Sequence, residues 1–270
     1  MTQRQTTAHV DRPRMLVLGA SNVRLGWRSL LDVAHDLFQR PFDAHLVMGH
    51  GRSLAQTTTF LRTSYRGLLH SVAWDCLAKQ PEQPTFLLLT DIGNDVLYGV
   101  DADQILEWVD QIVCRAATLT PVMVVTRPPM RSIERLPAWR FHLFRRLLWP
   151  SSQVSYTEAL RTASAVDRGL ARRFPAMAGQ LTVELVAPSS QWYGIDPVHV
   201  RRRSRRAAWQ SYLAPWRAHA GALEEIRAQR PIAGSWFRRL HLPRAIDHAD
   251  QYRRDYSRLP DGSFVRYYVG

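Results

Sequence analysis

The chain has 270 residues, 46% of them apolar, enough to bury one α/β core with about fifty residues left for an appendage. Nowhere do 18 apolar residues run together, and no basic start leads into an apolar run at the N-terminus, so the chain is expected to be neither membrane-spanning nor exported. The two cysteines, Cys76 and Cys114, lie far from any Cys-x-x-Cys spacing, so they are expected to be free thiols in a reducing, cytoplasmic compartment.

The formal net charge of +13 is concentrated toward the end. Residues 201–270 carry 15 arginines against 6 acidic residues, whereas the first 200 residues are nearly balanced. Only Lys79 is a lysine. An arginine-rich surface suits phosphate recognition and ordinary solvation alike, so the charge alone selects neither.

Taken in chain order, five short apolar runs read as buried strands: residues 15–18, 44–48, 86–89, 122–125 and 181–186. Longer stretches of helical spacing separate them, the alternation of a parallel sheet covered on both faces. The first helix presents Leu25, Trp27, Leu30, Leu31, Ala34, Leu37 and Phe38 and stops at Pro41. The second crossover is expected to be helical from Leu54 through Phe60, Leu61, Leu68 and Leu69 to Leu77. The third, Ile105 to Ala116, is the cleanest amphipathic helix, with Asp103 as its expected N-cap. Pro128, Pro129 and Pro137 bracket an irregular loop, after which two helices are expected near 139–148 and 156–174. A loop then reaches His199 and an arginine-rich helix carrying Ala208, Trp209, Tyr212 and Leu213, and Pro215 ends the core. A further helix is expected over 221–232, and the last 35 residues show no clear period. The expected organisation is an N-terminal tail (1–13), a core domain (14–214) and a basic extension (215–270).

In an open parallel sheet ligands bind beyond the carboxyl ends of the strands. Four polar clusters fall there: Gly19-Ala20-Ser21-Asn22, Gly49-His50-Gly51-Arg52-Ser53, Asp91-Ile92-Gly93-Asn94-Asp95, and Asp196-Pro197-Val198-His199. Each member alone has an ordinary explanation. A serine before a helix is usually an N-cap, an asparagine after a strand usually an Asx turn, and Asp-x-x-His recurs by chance, as at Asp32/His35. Together they supply each role of acyl transfer once. Ser21 would attack the carbonyl, His199 would take its proton, and Asp196 would orient the imidazole. The backbone N–H groups of Ser21 and Gly51 and the side-chain amide of Asn94 would receive the oxyanion.

These blocks, in this order, resemble the four signature blocks of the SGNH (GDSL-like) hydrolases, over residues 14–214. The resemblance implies a flavodoxin-like three-layer α/β/α fold whose five parallel strands follow the order 2-1-3-4-5. It also implies hydrolysis of acyl esters or thioesters without cofactor or metal. Ala20 departs from the family's Gly-Asp-Ser, removing a hydrogen-bonding group beside the serine. Gly51 is preferred to Gly49 because Gly-Arg-Ser is the better match.

The substrate is expected to be a small acyl ester, anionic if Arg52 and one of Arg201 or Arg202 reach it, with Asn22, His50 and Asp95 as further contacts. A solvated basic helix face is the competing explanation of the arginines. Transfer of the acyl group to an acceptor other than water remains open. So does a catalytically silent protein that binds nucleic acid through Trp236, Phe237, Tyr252, Tyr256, Tyr267 and Tyr268 among the tail arginines, although these aromatics serve equally well as anchors for the tail.

Overall fold

Arg14–Leu18 has no exposed position and forms β1, the central strand of the computed structural model, which describes residues 12–79, 82–174, 181–221, 255–259 and 261–268. A polar turn leads into α1 (Ser21–Phe38), whose buried residues fall at helical spacing from Val23 to Phe38. β2 (Asp43–Val47) follows, again buried throughout. Next come the hairpin strands β3 (Thr58–Phe60) and β4 (Thr63–Tyr65) and the short helix α2 (Ala73–Ala78). β5 (Thr85–Leu89) leads to α3 (Asn94–Leu97) and α4 (Ala102–Ala116). β6 (Val122–Thr126) leads to α5 (Met130–Glu134), α6 (Ala138–Leu148) and α7 (Tyr156–Arg173). The chain continues through β7 (Thr182–Val186), α8 (Arg205–Leu213), α9 (Trp216–Gly221), β8 (Asp255–Arg258) and β9 (Phe264–Tyr268).

The expected five strands lie in the expected order, here β2-β1-β5-β6-β7, and all are parallel. Helices cover both faces. One core packs α2, α4 and α7 against the sheet, and the other packs α1, α8 and α9. Trp209 of α8 crosses α1 at Gly26, where its indole N–H donates to the Gly26 carbonyl at 3.0 Å.

The sheet does not stop at five. β9 pairs in parallel with β2, and β8 runs antiparallel outside it, giving seven strands among the described residues, six of them parallel. These strands come from the segment read as an aperiodic extension. β9 is only five residues long, and its Val265 and Tyr267 are buried against α1, with Tyr267 edge-on to Trp27 at 5.6 Å between ring centroids. Tyr268 stacks on His45, and its hydroxyl lies 2.8 Å from His45 Nδ1. These two tyrosines are therefore anchors, closed to stacking on bases. Trp236, Phe237, Tyr252 and the helix expected beyond Gly221 lie outside the described residues, as does the Tyr256 side chain.

Three local expectations are corrected. The second crossover opens as a hairpin and is helical only near its end, in α2: Thr58, Thr59 and Phe60 pair with Tyr65, Ser64 and Thr63, a β-branched and aromatic run that prefers extended backbone to a helix. Asp101, not Asp103, caps α4, accepting from the Gln104 N–H at 2.9 Å. The loop between Pro129 and Pro137 contains α5. Cys76 and Cys114 are free, and no helix among the described residues is long and apolar enough to cross a membrane.

Candidate active site

Because β1, β2, β5, β6 and β7 are parallel, the segments after them leave the same edge of the sheet. The first is the turn from β1 into α1. Gly19 is required there, since a Cβ would come within 2.4 Å of Val23 and 2.6 Å of Thr90. Ser21 opens α1, so its backbone N–H has no intrahelical acceptor and points out of the helix end.

His199 arrives from a segment 178 positions away, and its Nε2 lies 2.9 Å from Ser21 Oγ. Its Nδ1 lies 2.5 Å from Asp196 Oδ2. A carboxylate on Nδ1 fixes the tautomer that carries its proton there, leaving Nε2 free to accept from the serine hydroxyl. Asp196 is itself held, because its Oδ1 accepts from the backbone N–H groups of Val198 at 2.9 Å and His199 at 3.2 Å. Partial burial pushes the Asp196 carboxyl up, but the His199 hydrogen bond and charge outweigh it, and the net shift is downward.

Two residues tie the turn at Ser21 to the loop carrying Asp196 and His199. Asn22 donates to Asp91 Oδ1 at 2.7 Å and to the Val198 carbonyl at 2.9 Å, and its Oδ1 accepts from the Val200 N–H at 2.9 Å. The other Asp91 oxygen accepts from the Ala20 N–H at 2.7 Å. Asp91 holds a left-handed backbone, φ 65°, a conformation that aspartate tolerates better than most residues. Burial raises the Asp91 carboxyl pKa against the pull of these donors. Neither role was assigned from sequence. Asp91 follows Thr90 just beyond β5, and its place beside the Gly-Asn-Asp block is the signal the sequence offers.

The remaining expected site residues divide. Asn94 is buried at the start of α3, and one N–H of its amide donates to the Arg52 carbonyl at 3.2 Å, leaving the second. Gly51 has φ 61°, its carbonyl accepts from the Tyr98 hydroxyl at 2.5 Å, and a Cβ would meet that oxygen at 2.7 Å, so only glycine fits. His50 lies close to the dyad. Its pKa is lowered by burial first, then by Arg24 and by His199, and its ring packs on Phe60 at 5.0 Å.

Two expected substrate contacts are corrected. Arg52 is 1% exposed, and its guanidinium donates to the carbonyls of Arg66 at 2.7 Å, Met48 at 3.2 Å and Tyr268 at 2.8 Å. It braces the loop after β2 rather than meeting a ligand. Asp95 is also fully buried, accepting from the Ser53 hydroxyl and, at 2.9 Å, from the Leu54 N–H. Burial pushes its carboxyl up to about 6. Arg201 is exposed beside Gly194, and on the helix after it Arg206 pairs with Asp36.

Beside the dyad lies a mostly apolar cavity of about 100 Å³. Asn22, Asp91, Asn94 and Val198 form one wall, and Phe141 and Phe144 of α6 and Ala159 and Ala163 of α7 another. Arg127 reaches this wall already paired with Asp167 through two hydrogen bonds of 2.7 and 2.5 Å.

No protein-family model and no curated relative matches the sequence. Among solved structures, a carbohydrate acetylesterase family member from Sinorhizobium meliloti is 14% identical, with a TM-score of 0.50 over 77% of this chain and 99% of that one. The psychrotrophic esterase EstA from Pseudoalteromonas sp. is 15% identical, with a TM-score of 0.45 over 75% of this chain and 97% of that one. An aryl esterase from M. smegmatis is 14% identical, with a TM-score of 0.46 over 78% and 99%. At such identities the likeness is one of fold, and that fold is the three-layer α/β/α arrangement that the SGNH-like sequence blocks imply.

Proposed function

We propose that this chain, with its SGNH-hydrolase fold, is a serine hydrolase that cleaves acyl esters, thioesters included. The observation that carries the reading is the hydrogen-bonded line from Ser21 Oγ through the His199 ring to Asp196, joined at 2.9 and 2.5 Å from the two ends of the domain. Ser21 Oγ attacks the carbonyl carbon as His199 Nε2 takes its proton, and Asp196 stabilises the imidazolium. The tetrahedral oxyanion is received by the N–H of Ser21 at the α1 terminus, the N–H of Gly51 and the free N–H of Asn94. Each such donor is worth about 3 kcal/mol of barrier. His199 then returns the proton to the leaving oxygen or sulfur, and water repeats the sequence on the acyl-serine. The chemistry asks for no metal or cofactor.

The cavity beside Asn94 supports an apolar acyl or alcohol group, because its lining is mostly apolar and its arginines are engaged, Arg127 with Asp167, Arg145 with the Ser152 carbonyl and Arg205 with the carbonyls of Val200 and Leu25. A fluorophosphonate probe and a nitrophenyl ester test the reading. Labelling and turnover in the wild type, both lost in Ser21→Ala, are expected; a mutant labelled as strongly as the wild type would overturn the assignment.

A further inference from the structure

The large apolar side chains left exposed among the described residues are Leu25, Leu61, Trp139, Leu143, Leu147 and Ile195. All of them stand on segments that leave the carboxyl edge of the sheet. Leu25 is in the first turns of α1, Leu61 caps the hairpin whose Phe60 packs on His50, and Ile195 precedes Asp196. Trp139, Leu143 and Leu147, exposed by 67, 56 and 69%, recur every four residues along α6 and so make one stripe. The opposite side of α6 is already used, since Phe141 and Phe144 line the cavity. At 100° per residue Arg140 flanks the stripe on one side and Arg146 on the other. Arg140 also donates to the carbonyl of Ile195, which joins the stripe to the rim of the dyad. Leu61 holds a left-handed backbone, φ 56°, where glycine or asparagine would sit more easily, yet it presents a leucine to solvent.

Charge identifies the occupant. Residues 130–149 hold five arginines and one glutamate, and none of these arginines has a carboxylate partner among the described residues. A short amphipathic helix with an apolar face edged by arginine matches an anionic bilayer, whose acyl region takes the leucines and the tryptophan while its headgroups take the guanidinium groups. A soluble anion would leave the stripe in water, and an acidic protein would not need further apolar tips on two separate loops, at Leu61 and Ile195.

We propose that this rim, with α6 at its centre, docks on an anionic lipid surface. If the chain is an ester hydrolase as argued above, docking brings the cavity mouth to esters held in the bilayer; the docking itself does not depend on that reading.

Sedimentation with phosphatidylcholine vesicles, with and without an equal amount of phosphatidylglycerol, tests it. The wild type should pellet with the mixed vesicles and be released by salt. Leu143→Asp/Leu147→Asp should weaken binding about tenfold or more, and Arg131→Gln/Arg146→Gln about fivefold per arginine. Both double variants should hydrolyse a water-soluble short ester as the wild type does, so a loss of turnover would report on the catalytic reading and a loss of pelleting on the surface. Failure of the wild type to pellet with either vesicle would overturn the proposal. So would a dimer in light scattering that Leu143→Asp/Leu147→Asp converts to monomer, because the stripe would then be covered by a second copy of the chain.

Discussion

Asn22 donates to Asp91 at 2.7 Å while its amide brackets the backbone of Val198 and Val200, so one side chain holds the turn at Ser21 and the loop at His199 in register. Asp91 completes the tie through the Ala20 N–H, a second anchor on the same turn. The loss of the acid expected at position 20 is thus offset from the neighbouring strand. Misplacing reacting groups by about 1 Å can cost about a hundredfold in rate. Asp91→Ala should therefore lower kcat by about ten- to a hundredfold with little change in KM, and Asp91→Asn by less, as one acceptor remains. Steady-state kinetics on variants with unchanged circular dichroism decide it, and an unchanged kcat in Asp91→Ala would remove Asp91 from the positioning role.

In the proposed mechanism Ser21 and His199 act on one proton, so their removal should not be additive. Ser21→Ala and His199→Ala should each lower kcat by about a thousandfold or more, and the double variant should be no slower than the slower single. Multiplicative losses, read from the three rate constants, would mean that the two side chains work independently.

Much of this arrangement was legible because periodicity and strand-end chemistry are local. Buried runs such as 86–89 and the α4 stripe read directly from residue spacing, and the parallel order carries four loops to one edge. What was hidden depended on distance. The β9 strand gains its meaning only beside β2, and Arg52 looks like a ligand contact until the carbonyls of Met48 and Tyr268 close around it. Asp95 likewise belongs to a polar block by sequence and to the interior by packing. An aspartate in the left-handed region, as at position 91, leaves no mark in composition.

Asp95 makes stability depend on pH. Its carboxyl is raised by burial from 3.8 to about 6, so between those values the folded state keeps a proton that the unfolded state has released. Stability from this group is therefore present at low pH and declines as pH rises through that window, by up to about 3 kcal/mol. Asp95→Asn cannot ionise. Urea unfolding of the two proteins should show the variant gaining on the wild type from pH 4 to pH 6.5, a window set by the folded value of about 6, with no further gain above it. A difference that is flat across the window would show that Asp95 titrates normally.

Arg52 links the loop carrying Gly51 to the end of β9 through the Tyr268 carbonyl, so the last strand supports that loop mechanically. Arg52→Ala would leave the carbonyls of Arg66, Met48 and Tyr268 without this donor in a buried setting, at a cost of about 1–3 kcal/mol for each that water cannot reach. The expected result is a lower melting temperature and a lower kcat, with the same proportional loss for neutral and carboxylate-bearing esters, since the guanidinium never meets the substrate. Arg52→Lys should recover little, because one ammonium cannot span three carbonyls held by a planar fork. Selective loss toward the charged ester, measured as the ratio of kcat/KM values for the two substrates, would return Arg52 to the binding site and contradict its burial.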